Sequence, residues 1–325
     1  SEAPKILVIF FGSLEYLRDE GRYRRLFWVS SWVILLIGID GFVQYWRGQD
    51  LIREVGLWRG RVRAHFASPT FFQYVLPLLP LSLALWEERI SGWKKAFLAM
   101  AVMALAASSL LSRTRSVWIA LALTVLFMSI FSRRRIFYLL LIGLFALGSA
   151  ALPLGSGRAS PLSLTGFLAE QRYQRMLAWQ ISYRMFLSRP LLGKGPDFFD
   201  RYQRNAALQQ PYLSPQLYEK LAKGGKGVVF PIYHPHSIYL ELLASQGIIG
   251  MAAFLWILAT LAFSLWKGRK GPPLAFLGTS AALLCFLALG AVGTSFYQPW
   301  SYGIFWLLAG MGMSLRERDE RREPG

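Results

Sequence analysis

The chain has only three histidines, and two of them stand one residue apart. His234 and His236 flank a proline in HPHSIYLELLASQGIIG, which continues directly into a long apolar segment. An imidazole changes charge near neutral pH and can take a proton from a hydroxyl group. The pair is therefore a candidate for general-base chemistry at the start of an apolar segment.

Two arginines precede the third histidine. Arg61, Arg63 and His65 follow one another at alternate positions in GRVRAHFASPTFF, immediately before another apolar segment. A guanidinium group stays charged and donates two parallel hydrogen bonds, so these arginines suit a phosphate ligand. The alternative is that they extend towards lipid headgroups, as arginines at helix ends commonly do.

A further basic segment, RYQRMLAWQISYRMFLSRPLLGKGP, predicts an amphipathic helix that ends before Pro190. Arg172 and Arg175 are three residues apart and share a face of this helix. We expect it to lie on a membrane surface and to cover a cavity between spans, with ordinary packing as the alternative role for its apolar residues. Those apolar residues are Met176, Trp179, Tyr183, Met185 and Phe186.

The elements that position these residues are expected to be membrane helices. Of 325 residues, 54% are hydrophobic, and this excludes an ordinary soluble domain. Cys285 is the single cysteine, so an intramolecular disulfide is excluded, and we expect it to be a packing residue. No signal-peptide cleavage site follows the first apolar residues.

Eight apolar segments have about the length of a membrane span. The sequence predicts an all-α polytopic transmembrane bundle of about eight or nine spans with a large helical periplasmic loop. Residues 1–154 form N-terminal spans, 155–235 the loop, and 236–325 C-terminal spans and a cytoplasmic tail. Because the chain starts without methionine, we expect N-terminal spans to be missing, with 6–17 as a remnant. The eight segments are 27–46, 70–86, 96–111, 117–131, 136–154, 247–266, 274–293 and 300–313.

The distribution of basic residues predicts the orientation of the spans. One side carries 17 lysines and arginines, and the short segments of the opposite side carry eight. The first side is therefore expected to be cytoplasmic. The remaining 11 lie in the loop 155–235, which is long enough to escape this rule, although counting them gives 17 against 19. All three histidines then lie on the external face.

The loop 155–235 has a net formal charge of about +7, from 11 basic and four acidic residues. Such a surface attracts an anionic ligand. Attraction to anionic lipid headgroups is the alternative, and it requires no specific geometry.

Three motifs in this order resemble the O-antigen ligase and polymerase superfamily, over roughly residues 57–266. RVRAHFASPT is similar to the family's Arg-x-x-x-x-Phe-x-x-Pro-Asn, with Arg61 at the arginine position and Arg63 as its rival. Arg175, Trp179 and PLLGKG match the second motif, and HPHSIYL with QGIIG resembles the third. Ser237 and Thr70 stand where the family usually has asparagine, which puts the supporting hydrogen bonds in doubt.

The resemblance implies a membrane glycosyltransferase whose glycan donor is carried on undecaprenyl diphosphate. His236 is then the general base that deprotonates the acceptor hydroxyl, and Arg61 and Arg175 bind the leaving diphosphate. The external loops lack a dense carboxylate cluster, so we expect metal-independent transfer with no cofactor. The family analogy implies inversion at the anomeric carbon.

The remaining candidate residues have two interpretations each. His234 orients its neighbour or faces water, because Pro235 stiffens the pair. Tyr239, with Glu241, is a supporting or substrate-binding residue, or an ordinary interfacial one. Asp40 is costly in lipid, so it should face a cavity or pair with an arginine, for structure or for acceptor binding. A zinc site at His234 and His236, with His65 as the only other histidine, is a further alternative.

Three functions compete. The first is an O-antigen ligase of lipopolysaccharide biosynthesis, in the bacterial inner membrane with a periplasmic active site, which moves a glycan to the lipid A core. The second keeps the chemistry and changes the acceptor, as a polymerase or a protein oligosaccharyltransferase. The third is a transporter of anionic lipid-linked glycans, which internal repeats and interrupted helices would favour. We favour the ligase and expect membrane lipids, but no nucleic acid, as further partners.

Overall fold

The computed structural model describes residues 3–58, 60–66, 72–151, 172–196, 198–204, 208, 210–213, 215, 234–269, 273–293 and 295–322. Within these ranges the chain forms helices and turns without a strand, apart from isolated bridges between Gln49 and Gly56 and between Trp58 and Arg61. The predicted all-α class is confirmed for the described part of the chain. Pro69 and Thr70 of the first motif lie outside it.

Twelve α-helices are present in the described residues. They are α1 Ala3–Tyr16, α2 Glu20–Arg47, α3 Phe72–Val75, α4 Leu79–Ala84, α5 Gly92–Leu111, α6 Arg115–Phe131, α7 Arg135–Ala151, α8 Arg172–Ser188, α9 Phe198–Arg204, α10 Ile238–Gly268, α11 Pro273–Val292 and α12 Pro299–Arg322. Helix α8 ends two residues before Pro190, as the sequence predicts.

Four helices of the described residues are long and apolar enough to cross a membrane: Gly21–Arg47, Gly92–Leu111, Ile238–Gly268 and Pro273–Val292. Shorter apolar helices cover Ser116–Phe131 and Arg135–Leu144. The protein is thus a multi-pass helical membrane protein, and the larger count of eight or nine spans stays a prediction.

The expected span 70–86 is not one continuous helix. Helix α3 gives way to a 3₁₀ segment at Leu76–Leu78, α4 follows, and a second 3₁₀ segment covers Leu85–Glu87. Pro77 and Pro80 each stand at the second residue of a new segment. Because proline has no backbone N–H and its ring collides with the preceding turn, a regular helix cannot continue through either position.

The chain divides into two compact units. Unit 1 comprises Ser1–Pro153, Thr260–Leu289 and Pro299–Gly325, and unit 2 comprises Leu154–Ala259 and Gly290–Gln298. In unit 1, α2 packs closely on α5, since a Cβ added at Gly38 would lie 2.5 Å from the backbone of Ala104. Ser108 of α5 donates a 2.6 Å hydrogen bond to the Gly38 carbonyl. This pairing holds the C-terminal half of α2 rigidly, and α2 carries Asp40.

Unit 2 has a small core of its own around α8. Leu177, Ile181 and Met185 repeat at intervals of four and are buried, so they form the inner face of the helix. Of the apolar residues noted in the sequence, Met176 and Tyr183 are about half exposed, so packing in the core of unit 2 does not account for them. The two residues do lie at helical spacing, on a face of α8 that the described residues of unit 2 leave exposed. The other core residues are Ala178, Phe198, Phe199, Tyr202, Tyr212, Leu213 and Ala244.

Candidate active site

Helix α8 presents two motif residues to the His-Pro-His turn. Arg175 and Trp179 are four residues apart and therefore lie on one face of the helix. The indole N–H of Trp179 donates a 2.9 Å hydrogen bond to the carbonyl oxygen of Pro235. Nη1 of Arg175 donates to the carbonyl oxygen of Val292 at 3.1 Å. The two side chains thus connect α8 to the histidine turn and to the end of α11, all within unit 2.

The hydrogen bonds of His234 fix its tautomer. Its Nδ1 accepts the backbone N–H of His236 at 3.1 Å. Burial, together with the neighbouring His236 and Arg175, lowers the pKa of His234 to about 3. The ring is therefore neutral at pH 7 with its proton on Nε2, which makes His234 a hydrogen-bond donor at that atom.

The imidazole of His236 is neutral at pH 7. Burial and the charge of Arg175 lower its pKa, a hydrogen bond to the Gly293 carbonyl opposes both, and the resulting pKa is about 4. One ring nitrogen of the neutral imidazole donates to Gly293, so the other keeps its lone pair. The ring centroid of His236 lies 4.2 Å from that of His234.

The backbone of His236 is strained. Its φ of 56° lies in the left-handed region, which a non-glycine residue adopts only when its surroundings determine it. The contacts of Trp179 with Pro235, of His234 with the His236 N–H, and of the ring with Gly293 supply those surroundings. The imidazole of His236 is therefore held in one orientation before any ligand binds.

Glu241 anchors the first turn of α10. Its carboxylate is buried and accepts hydrogen bonds from the Ser295 hydroxyl at 2.6 Å and from the backbone N–H of Phe296. The ring of Tyr239 lies in an edge-to-face contact with Phe254, at 6.4 Å between centroids. Glu241 thus supports the helix that follows the histidines. Sequence reasoning did not find Ser295, because a lone serine far along the chain carries no pattern.

At the glycines of the second and third motifs, the backbone of the PLLGKG loop packs directly against the backbone of α10. Helix α10 has a kink at Gly247, with φ 66°, and a Cβ there would lie 2.4 Å from the Leu191 carbonyl oxygen. A Cβ on Gly193 would lie 2.3 Å from the carbonyl carbon of Ser245. We call this contact between the PLLGKG loop and α10 the glycine joint. Across it, the backbone N–H groups of residues 194, 195 and 248 donate hydrogen bonds to backbone carbonyl oxygens at 2.8 to 2.9 Å. Glycine is required here because the backbones approach too closely for any side chain.

Unit 1 holds the other predicted residues. Asp40 is buried, and its Oδ2 lies 2.8 Å from Nδ1 of His65. The expected pairing of Asp40 with an arginine was wrong, because the backbone at 61–66 folds over α2 and brings His65 to it. That Asp40 faces a cavity stays a prediction. Gln44, one turn later on α2, is also buried and binds Arg63 and Ala64 of the same segment. It also donates to the Val55 carbonyl. Sequence reasoning missed Gln44, which could have been found because it lies four residues after Asp40 in an otherwise apolar helix.

Arg61 and Arg63 point to different partners. Arg61 donates from Nε to the Ser112 carbonyl at 2.7 Å and from Nη2 to the Thr114 hydroxyl at 2.9 Å. Arg63 donates from Nε to the Gly56 carbonyl at 2.9 Å, and its guanidinium lies over the ring of Trp58 at 5.7 Å. Arg61 is thus bound to the connection between α5 and α6.

The structure groups the predicted residues by unit. His234, His236 and Arg175 come together in unit 2, and Asp40, His65, Arg61 and Arg63 belong to unit 1. The backbone of Arg172 begins α8, but its side chain lies outside the described residues. Among the described residues, no group of three or more His, Cys, Asp or Glu is arranged to hold a metal.

A protein-family model described as O-Antigen ligase matches residues 96–255. The matched stretch contains α8, the glycine joint, the His-Pro-His turn and the first half of α10. No curated protein matches the chain. The family resemblance drawn from the motifs is confirmed over this stretch.

Proposed function

We propose that the chain is a member of the O-antigen ligase superfamily and that it transfers a glycan from undecaprenyl diphosphate to the core oligosaccharide of lipid A. The observation that carries this proposal is the arrangement of His236 and Arg175 in unit 2. A neutral, oriented imidazole and a guanidinium that lowers its pKa lie within electrostatic reach of one another. Sugar transfer from a diphosphate requires both a proton acceptor and a positive charge.

The reaction follows from these two groups. The ring nitrogen of His236 that does not donate to Gly293 takes the proton of an acceptor hydroxyl. The acceptor oxygen then forms a bond to the anomeric carbon of the donor, and the bond between that carbon and the diphosphate oxygen breaks. Attack from the face opposite the leaving group inverts the anomeric carbon. The diphosphate leaves with the bonding electron pair, and the charge of Arg175 stabilises it.

The low pKa of His236 in the free protein fits this sequence of events. After burial, the charge of Arg175 is the other cause that lowers this pKa. A bound diphosphate offsets the charge of Arg175, so the pKa of His236 rises when the donor is present. The base therefore becomes stronger when there is a donor to attack.

We assign His234 a different role from that of His236. Because its Nδ1 accepts the His236 N–H, its only polar atom left for a ligand is the protonated Nε2. It donates a hydrogen bond to an oxygen of the donor or acceptor and does not act as a second base.

The role of Arg61 in donor binding stays a prediction, and so does that of Arg63 as its rival. Arg61→Lys keeps one positive charge but removes the planar group that binds both Ser112 and Thr114. A rise in the KM for the donor with an unchanged KM for the acceptor is the expected result if Arg61 binds diphosphate. Equal changes in both would indicate a structural role.

The test of the function is a transfer assay in nanodiscs. Purified protein is incubated with glycan-linked undecaprenyl diphosphate and lipid A core, with EDTA present, and the acceptor is followed by gel shift. We expect transfer by the wild type, and a loss of at least about 100-fold in His236→Gln and Arg175→Gln. Arg184→Gln is the control on the same helix, since Arg184 donates to the Tyr212 carbonyl in the core of unit 2.

Other products would identify other functions. Lengthening of the lipid-linked glycan, with the core unmodified, would indicate a polymerase, and labelling of a protein acceptor would indicate an oligosaccharyltransferase. Passage of the donor across a bilayer without any new glycosidic bond would indicate a transporter. A product that disappears with EDTA and returns with a divalent metal would contradict metal-independent transfer.

We also propose that the site faces the periplasm from the inner membrane. The asymmetry of the basic residues supports this orientation. Cys285 is buried, so thiol labelling of intact cells has a low background. A cysteine at the exposed Gln210 should react with a membrane-impermeant maleimide, and one at the exposed Ser91 should not. The opposite pattern would reverse the orientation.

A further inference from the structure

Asp40 fixes the ring of His65 in unit 1. Oδ2 of Asp40 accepts the backbone N–H of His65 at 2.9 Å and lies 2.8 Å from its Nδ1, while Oδ1 accepts the N–H of Leu51 at 2.8 Å. A carboxylate can only accept hydrogen bonds, so Nδ1 carries the proton. In the neutral ring, the lone pair is therefore on Nε2.

The turn that carries His65 is built around a second residue of α2. Oε1 of Gln44 accepts the N–H of Ala64 at 2.9 Å, and its Nε2 donates to the carbonyl of the same residue at 3.1 Å. Ala64 is fully buried and has a φ of 49°, in the left-handed region. Strain of this kind persists only where the surroundings determine it. Asp40 and Gln44 together thus set the direction of the imidazole.

The ring of His65 is accessible although its carboxylate partner is not. The side chain of His65 is 23% exposed and that of Asp40 only 3%. Within the described residues the structure gives Nε2 no hydrogen-bond partner, and the ring packs against Phe66 at 4.0 Å between centroids. An oriented acceptor atom at a partly open position is accessible to a ligand that donates a hydrogen bond.

Charge decides which ligand suits this site. With Asp40 ionised, the pair carries a net charge of −1 when His65 is neutral and zero when it is protonated. Asp50, also buried, interacts electrostatically with His65 and adds a further negative charge. Neither state of the pair presents a net positive charge to a phosphate. A hydroxyl group, which is uncharged and donates a hydrogen bond, is the matching partner.

We propose that Nε2 of His65 accepts a hydrogen bond from a hydroxyl group of a glycan, in a binding site formed by the Asp40–His65 pair. That the hydroxyl belongs to a glycan rests on the proposed function, whereas the assignment of Nε2 as an acceptor does not. His65 binds and orients in this proposal, and His236 remains the base.

Histidine-selective ¹⁵N labelling tests the proposal directly, because the chain has only three histidines. The full chain is placed in phosphatidylcholine nanodiscs, whose headgroups carry no hydroxyl. Resonances are assigned with His65→Asn, His234→Gln and His236→Gln. Core oligosaccharide released from lipid A is then added to the wild type, and inorganic pyrophosphate is added to a second sample. We expect the Nε2 resonance of His65 to move upfield with the oligosaccharide and not with pyrophosphate.

A matched pair of variants separates binding from support of the fold. His65→Asn retains a side-chain N–H for Asp40 and the backbone bond to it, but has no atom at the Nε2 position. We expect the KM for the glycan ligand to rise about three- to tenfold with little change in Tm, as for the loss of one hydrogen bond. Asp40→Asn weakens the tautomer preference while Nε2 remains, so it should have a smaller effect on KM.

The outcomes separate this inference from the proposed function. An active enzyme whose His65 resonance does not respond to oligosaccharide would overturn the inference and leave the function intact. A response without any transfer would support the inference and count against the function. A response to pyrophosphate instead would show that the site binds an anion, and the hydroxyl assignment would be wrong.

Discussion

The indole N–H of Trp179 lies 2.9 Å from the carbonyl oxygen of Pro235, the residue between the two histidines. This single bond ties α8 to a turn whose next residue, His236, has a left-handed φ of 56°. Trp179 is one helical turn from Arg175, so the helix that carries Arg175 also fixes the backbone next to His236, the proposed base. The motif spacing of arginine four before tryptophan therefore has a geometric reason.

Trp179→Phe removes this hydrogen bond and keeps an aromatic ring. We expect a loss of about 1 kcal/mol in the free energy of unfolding and a fall in kcat of about tenfold, because His236 loses part of the support for its strained backbone. Melting temperature and initial transfer rate measure the two effects. Trp118→Phe is the control, since Trp118 donates to the Ser109 carbonyl in unit 1. An equal fall in kcat in the control would contradict a specific role for Trp179.

Arg175→Gln should raise the pKa of His236 above its value of about 4. After burial, the charge of Arg175 is the next cause that lowers this pKa, and the substitution removes that charge. A ¹⁵N titration of labelled histidine in nanodiscs measures the change without depending on activity. Arg184→Gln, on the same helix, is expected to leave the pKa where it is. A pKa that stays the same in Arg175→Gln would mean that burial alone sets it.

The pH profile of the transfer reaction gives a separate test of the effect of Arg175 on the pKa of His236. The dependence of kcat/KM reports the free enzyme and that of kcat the donor complex. With His236 as the proposed base, activity requires its neutral form, so both profiles should rise with pH. The acidic limb of kcat/KM should lie near pH 4, and that of kcat at higher pH, because bound diphosphate offsets Arg175. An acidic limb of kcat that lies at lower pH than that of kcat/KM would contradict the expected rise in the pKa of His236 on donor binding.

Much of the fold was predictable because its signals are local. Apolar length predicted the helices, and Pro190 predicted the end of α8. The span expected at 70–86 failed for the same kind of local reason, since Pro77 and Pro80 interrupt it. The exposed Met176 and Tyr183 show the limit of periodicity, which reveals a helix but not the face that its neighbours cover.

The residue types of the candidate site came from the sequence, whereas the contacts among them did not. The sequence singled out His236 and Arg175, but the hydrogen bond from His236 to Gly293 joins residues nearly sixty positions apart. The pairing of Asp40 with His65 depends on Gln44 folding the intervening segment back onto α2. Contacts of this length arise from tertiary packing, which residue spacing does not encode.

Acid should destabilise the folded protein through its two buried histidines. The pKa of His234 is lowered to about 3 and that of His236 to about 4, from an unfolded value near 6.5. Between pH 6.5 and the folded values the unfolded chain binds more protons, so the free energy of unfolding falls as pH falls. The melting temperature of the wild type should therefore fall between pH 7 and pH 4. In the variant with both His234→Gln and His236→Gln this fall should be smaller, and an equal fall would contradict the lowered pKa values.

Gly193→Ala should break the joint between the PLLGKG loop and the kink of α10. A Cβ there would lie 2.3 Å from the carbonyl carbon of Ser245, and φ is 66°, so the alanine meets both a backbone collision and conformational strain. Gly195→Ala is the matched control, because φ is 93° but nothing lies within 4 Å of its Cβ. We expect about 1 to 2 kcal/mol of destabilisation from strain in the control and a clearly larger loss in Gly193→Ala. Because α10 begins just after His236, transfer activity should fall with Gly193→Ala even at temperatures where the protein remains folded. Equal melting temperatures for the two variants would mean that the loop moves away from α10 without cost, and the joint would then have no part in holding the histidine turn.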